Sequence, residues 1–157
     1  MSGILVVYAT KNGSTKAVAE AIATELQVNG TAVDVRPARA AREPVTGRDL
    51  VVLGGAIYSG RWHRDAHRFL KRHRKDLAGV PIAVFGMGPR QDRPESWQRA
   101  RAQLDHALAK RRWLAPAAVA VFGGVDPPGR SDRHARRDLR DWIAIRRWAQ
   151  EVADSIA

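Results

Sequence analysis

Three short runs of strand-forming apolar residues, Ile4 to Ala9, Leu50 to Leu53 and Ile82 to Phe85, constrain this chain more than any other feature in it. Each is continuous, without the alternation of a strand that faces water on one side, so each reads as a strand buried on both faces. Two weaker runs join them: Thr31 to Arg36 alternates polar with apolar, and Ala117 to Phe122 is apolar but rich in Ala. Between the runs the period lengthens to that of a helix. Val18, Ile22 and Leu26 recur at four-residue steps, Trp97, Ala100, Leu104 and Leu108 repeat the pattern from Ser96, and Phe69 with Leu70 anchors a basic helix over Arg64 to Lys75. Leu139, Trp142, Ile143, Ala149, Val152 and Ile156 mark one last helix or two short ones. The connection Pro37 to Asp49, with Pro44 and Gly47, is too short for a full helix.

Strands alternating with helices predict an α/β domain with an open five-stranded parallel sheet and helices on both faces. Right-handed crossovers give the order 2-1-3-4-5 and put a ligand crevice beside the carboxyl ends of strands 1 and 3. The crevice then falls on Thr10 to Thr15 and on a loop from Ala56 to His63.

The length of 157 residues suits a single domain, 1–157. No apolar stretch reaches the roughly 20 residues of a membrane span, and the start of the chain shows no basic and apolar leader, so a cytoplasmic protein is expected. The chain has no Cys, which removes disulfides, thiolate-bound clusters and cysteine nucleophiles together. Redox chemistry, if present, needs a bound organic cofactor.

Thr10, Lys11, Asn12, Gly13, Ser14 and Thr15 join the first strand directly to a helix. Free amides at a helix start carry partial positive charge, Gly13 allows close approach of the backbone, and the hydroxyls can donate to phosphate oxygens. The same residues would also cap a helix that binds nothing. The third glycine of a dinucleotide loop and the Gly-Lys-Ser/Thr of a P-loop are absent. Strands 1 and 3 end in Tyr8-Ala9-Thr10 and Gly54-Gly55, without the carboxylates of a phosphate-accepting receiver domain.

Here the sequence resembles the flavodoxin family. The family's phosphate loop, T-x-T-G-x-T, matches Thr10, Gly13 and Thr15, with Asn12 in place of the middle Thr. The resemblance runs from Ile4 to the final helix and implies a flavodoxin-like fold in which Thr10 through Thr15 bind the 5′-phosphate of FMN. The extra segment that long-chain flavodoxins insert into strand 5 is missing.

Ala56, Ile57, Tyr58, Ser59 and Gly60 follow strand 3, and a flat ring could lie on them with Tyr58 stacked on one face. By the resemblance their amides would meet the pyrimidine edge of the flavin. Tyr58 and Trp62 could equally pack the loop onto a neighbouring helix. After strand 4, Met87, Gly88 and Pro89 supply small, flexible backbone, and no aromatic occurs between Phe85 and Trp97. One ring face is then expected to be open to a substrate or quinone.

The run from Gly55 to His63, and Asp141 to Ala149 near the end, resemble the flavodoxin-domain subgroup that includes menaquinone-dependent protoporphyrinogen IX dehydrogenase. That resemblance implies an FMN-dependent oxidoreductase passing hydride or electrons to quinone. An electron carrier for an acidic partner is the alternative.

Lys and Arg total 27 against 16 Asp and Glu, a formal charge of +11, whereas carrier flavodoxins are commonly acidic. From Arg61 to Lys75 seven cations face one Asp65, which places a positive field beside the expected crevice. It would attract an anionic small-molecule substrate, an acidic redox protein or an anionic membrane surface. Arg61, Arg64 and Arg68 are the expected rim. A solvated helix face gives the same composition. A nucleic-acid module shares the electrostatic footprint, but no recognised motif accompanies it. His63 and His67 stand four apart without a third ligand, so no metal is expected and His63 is left as a candidate proton donor. No catalytic residue is assigned.

Overall fold

The structure, a computed structural model, describes residues 3–11, 13–27, 30–126 and 137–156. Its order is β1 (Ile4–Ala9), α1 (Ser14–Leu26), β2 (Val33–Pro37), β3 (Leu50–Tyr58), β4 (Arg61–Trp62), α2 (Arg64–Arg72), β5 (Ile82–Met87), α3 (Pro94–Ala109), β6 (Ala118–Phe122) and α4 (Trp142–Ile156). A single 3-10 turn, Ala38–Ala40, is the only helical piece in the connection from β2 to β3.

Five strands run parallel in the order β2-β1-β3-β5-β6, the expected 2-1-3-4-5 arrangement of long strands, with β4 added as a short antiparallel partner of β3. Side chains alternate between two cores, as the strand period requires. Leu5, Val7, Val51, Leu53 and Val84 point to one face, where Phe69 and Leu70 of α2 and Leu104 and Leu108 of α3 cover them. Ile4, Val6, Val52 and Phe85 point to the other, under Val18 and Ile22 of α1 and Ile145, Trp148 and Val152 of α4. Burial on both faces explains the continuous apolar reading of β1, β3 and β5. Each fully buried large apolar side chain contributes about 1.5–3 kcal/mol relative to exposure.

Several boundaries differ from the sequence expectation. Strand β3 runs on to Tyr58 because Ile57 and Tyr58 pair with Trp62 and Arg61. Ser59 at φ +48° and Gly60 at φ +78° form the two-residue turn of this hairpin, the left-handed pair that the twist of adjoining strands favours. The expected loop Ala56 to His63 is therefore mostly sheet. Helix α2 stops at Arg72, because the following residues form turns that close on themselves, His73 N–H donating to Phe69 O and Leu77 N–H to His73 O. The final segment is one helix, and Ile143 is 65 % exposed while Ile145 is fully buried. Leu139 precedes that helix.

His73 fastens the end of α2 to the β2–β3 connection. Its ring is 1 % exposed, with Nε2 2.6 Å from Ala41 O and Nδ1 3.2 Å from Asp76 Oδ2. Phe69 packs against it at 4.5 Å between ring centres.

Candidate functional site

The chain leaves β1 for β2 on one side and returns to β3 on the other, so the sheet's switch point lies between β1 and β3. Ala9 pairs with Gly55, and Ala56 pairs with Met87. The three predicted segments therefore leave the sheet side by side, at strand spacings of about 5 Å.

The described residues between Thr10 and Thr15 present hydrogen-bond donors at the start of α1. Gly13 stands at φ +85° directly before α1, a conformation that only glycine adopts without strain. Its N–H donates to Thr10 Oγ1 over 3.1 Å, which leaves the Thr10 hydroxyl proton available to another acceptor. Gly13 has no side chain to cap α1, so among the described residues the helix's first amides keep their capacity to donate. Thr15 is 0 % exposed and its Oγ1 has no hydrogen-bond partner. A buried hydroxyl left this way costs about 1–3 kcal/mol, and an oxyanion over the helix start would offset it. Lys11 is exposed, Ser14 is half-buried, and Asn12 lies outside the described residues.

The other two segments act mainly through backbone and shape. Ile57 is buried in the α2–α3 core and Ala56 is buried as well, its O accepting the His63 N–H over 2.8 Å. Tyr58 is half-buried, whereas Ser59 and Gly60 are exposed at the hairpin tip. Trp62 is a structural residue: it is 3 % exposed, donates from Nε1 to Gly55 O over 3.2 Å, and meets the His67 ring edge-on. Met87 and Pro89 are buried. Gly88 N–H donates to Phe122 O and Pro89 O accepts from Gly124 N–H, so Met87, Gly88 and Pro89 are stitched to the exit of β6.

That exit adds residues the sequence did not point to. Val125 bridges Asp138 antiparallel, Leu139 N–H donates to Gly124 O, and a Cβ placed on Gly123 would lie 2.1 Å from Leu139 O. The returning segment brings Arg140 to the start of α1, where Nη1 donates to Ser14 O over 3.4 Å. Asp138 holds the guanidinium at 2.7 Å, and Trp142 stacks beneath it at 5.0 Å. One Arg in a chain this basic carries no signal of such a position.

The cations between Arg61 and Lys75 do not all belong to this edge. Arg61 and Arg64 stand at the hairpin and the first turn of α2, and Arg68 follows one turn later, 3.8 Å from Asp65. Lys71, Arg72, Arg74 and Lys75 sit at the far end of α2, so the expected single field beside the crevice is divided between two ends of the sheet. Nine helical residues separate those ends by about 13 Å at 1.5 Å per residue. His63 caps α2, its Nδ1 accepting the Asp65 N–H over 3.0 Å. Burial lowers its pKa against the opposing pull of Asp65, so the ring is neutral near pH 7 with its proton on Nε2. His67 Nδ1 faces Arg111. Among the described residues no group of three or more His, Cys, Asp or Glu could hold a metal ion.

Comparison with known proteins agrees with this geometry. The family model described as a flavodoxin domain matches residues 5–129. The quinone-linked protoporphyrinogen IX dehydrogenase of Escherichia coli K12 is 23% identical over 169 aligned residues, covering 95% of this chain and 93% of that one. Oxidised flavodoxin 2 from Bacillus cereus superposes with a TM-score of 0.61 at 21% identity, covering 97% of this chain and 98% of its own. A Fusobacterium nucleatum flavodoxin bound to flavin mononucleotide gives a TM-score of 0.54 at 15% identity, over 99% of this chain and 94% of its own.

Proposed function

The chain belongs to the flavodoxin domain family, and we propose that it binds FMN and works as an oxidoreductase of the protoporphyrinogen dehydrogenase type, with an anionic substrate and a quinone as its partners. The observation that carries this reading is the Thr15 hydroxyl, buried and without a partner beneath an uncapped helix start at the switch point. The Escherichia coli relative supports the reaction class because the alignment covers nearly all of both chains.

The hydroxyls of Thr10, Ser14 and Thr15 and the first amides of α1 hold the 5′-phosphate. Lys11 adds charge at the rim, and Asn12 joins the set by its place in the motif. Ala56 to Gly60 and Met87 to Pro89 frame the ring, and Tyr58, the partly exposed aromatic of these segments, covers one face. The other face is left for substrate. FMN supplies two-electron chemistry at its ring, while the protein supplies position and electrostatics. Arg61, Arg64 and Arg68 stabilise negative charge at the crevice and dock the carboxylates of a porphyrinogen. Arg140 steadies the first turn of α1 through Ser14 O. Among the described residues no helix is long and apolar enough to cross a membrane, and quinone would be met by peripheral contact with an anionic membrane from the cytoplasmic side.

The test is spectroscopic. Purified protein titrated with FMN should bind one equivalent and quench its fluorescence. Under anaerobic conditions protoporphyrinogen IX should bleach the flavin bands and a menaquinone should restore them. Bleaching only by a redox protein would replace this reading with that of an electron carrier. Absence of FMN binding would remove both.

A further inference from the structure

Helices α2 and α3 both start from the edge that carries the proposed cradle of Thr10 to Thr15, so their C-terminal ends meet at the opposite edge of the sheet. There Lys71, Arg74, Lys110, Arg111, Arg112 and Trp113 line a cleft of about 410 Å³, a size ordinary for a small-ligand site. Five of these six residues are cations, and no carboxylate among the described residues pairs with any of them. Helix ends attract cations, but each supplies only about half a negative charge, so two ends offset roughly one of the five. The cleft keeps a strongly positive field.

Two of the cations are fixed in place by neutral partners. Arg111 Nη1 lies 2.9 Å from His67 Nδ1, and Nη2 donates to His67 O over 3.3 Å. Burial, then the charges of Arg111 and Lys110, push the His67 pKa down to about 4, so its ring accepts from Arg111 without a charge of its own. The Arg74 guanidinium lies over the Trp113 indole, 5.9 Å from the ring centre. A guanidinium ordered by a neutral imidazole or an aromatic face retains its charge and its remaining N–H groups for an incoming oxyanion.

We infer that this cleft binds a phosphate group carrying at least two negative charges, either on a free phosphorylated molecule or on a lipid headgroup. Its volume matches a compact anion, whereas a duplex backbone would extend well beyond it. The site is independent of the cradle and of what occupies it.

Inorganic pyrophosphate titrated into the full-length protein at fixed ionic strength, followed by calorimetry, should saturate a single site. Lys71→Gln with Arg112→Gln, both exposed positions, should weaken binding at least about tenfold, the loss of roughly one charge-assisted contact or more. Arg111→Gln should weaken it further. Arg146→Gln with Arg147→Gln, an equal charge change on the exposed side of α4, should leave binding intact. Thermal melts separate a lost site from a lost fold. No saturable heat, or equal weakening by the α4 pair, would overturn the proposal, as would displacement of pyrophosphate by a duplex oligonucleotide at lower concentration. Vesicles of phosphatidylcholine with phosphatidic acid distinguish the sources. Sedimentation lost only in the Lys71/Arg112 variant identifies a lipid headgroup, and sedimentation unaffected by that variant identifies a free phosphate.

Discussion

The two edges of the sheet differ in what they leave unmatched. At the edge that carries Thr10 to Thr15, the buried Thr15 hydroxyl lacks a partner, and α1 starts from a glycine that has no side chain to cap it. At the opposite edge the imidazoles are engaged, His73 between Ala41 and Asp76 and His67 with Arg111, and the excess is net charge. Unmatched dipoles favour an oxyanion at a fixed position, whereas uncompensated charge attracts from a distance and tolerates variety in what arrives. The difference teaches that a single figure of +11 describes two unlike surfaces.

The strongest way to break the comparison is at the cradle. Thr10→Ala with Thr15→Val removes two hydrogen bonds to a charged group, each worth about 1.5–3 kcal/mol, and should weaken FMN binding by on the order of a hundredfold or more. Thr15→Val alone should raise the unfolding free energy of the flavin-free protein by about 1 kcal/mol, because it removes an orphaned hydroxyl. A loss of stability with unchanged FMN affinity would make Thr15 an ordinary core residue.

At the other edge, His73→Leu strips the donor from the buried Ala41 carbonyl and should cost about 1–3 kcal/mol in denaturant unfolding. FMN affinity should stay as it is. Replacing Arg61, Arg64 and Arg68 with Ser should slow reaction with an anionic partner about tenfold at low salt and flatten its salt dependence. Stopped-flow rates across ionic strength measure this, and an unaltered slope would return those residues to a solvated helix face.

The smallest effect concerns His67. Its folded pKa of about 4 lies below the ordinary 6.5, so between those values the unfolded chain binds more protons than the folded one. Stability from this group is complete above pH 6.5 and declines as pH falls toward 4. Urea midpoints at pH 7 and pH 5 should differ less in His67→Gln than in the parent protein.

How much of this could be read beforehand follows from which forces are local. Strands β1, β3 and β5 announce themselves because burial on both faces demands continuous apolar residues. The hairpin at Ser59 and Gly60 does not, because a strand of two residues has no period and Ser is an unusual occupant of a left-handed position. Ile143 and Ile145 look alike in sequence, and the seating of α4 on Phe85 and Phe122 through Trp148 decides which one is buried. The proposed cradle lies within one loop, so its residues can be named from the sequence without knowledge of the fold. Arg140 was not, since a contact between residues 126 positions apart leaves no trace in spacing. The division of the basic run between two edges follows from the direction of α2, which its composition does not encode.

The missing side chain at position 123 has a wider reach than its size suggests. With the Leu139 carbonyl already where a methyl would go, any replacement must lever the chain leading into α4 outward and draw the guanidinium away from Ser14. Variation at that point should therefore be purged even though it touches no cofactor, and a saturation-mutagenesis map read out on flavin retention should show a lone intolerant site far from the pocket in sequence.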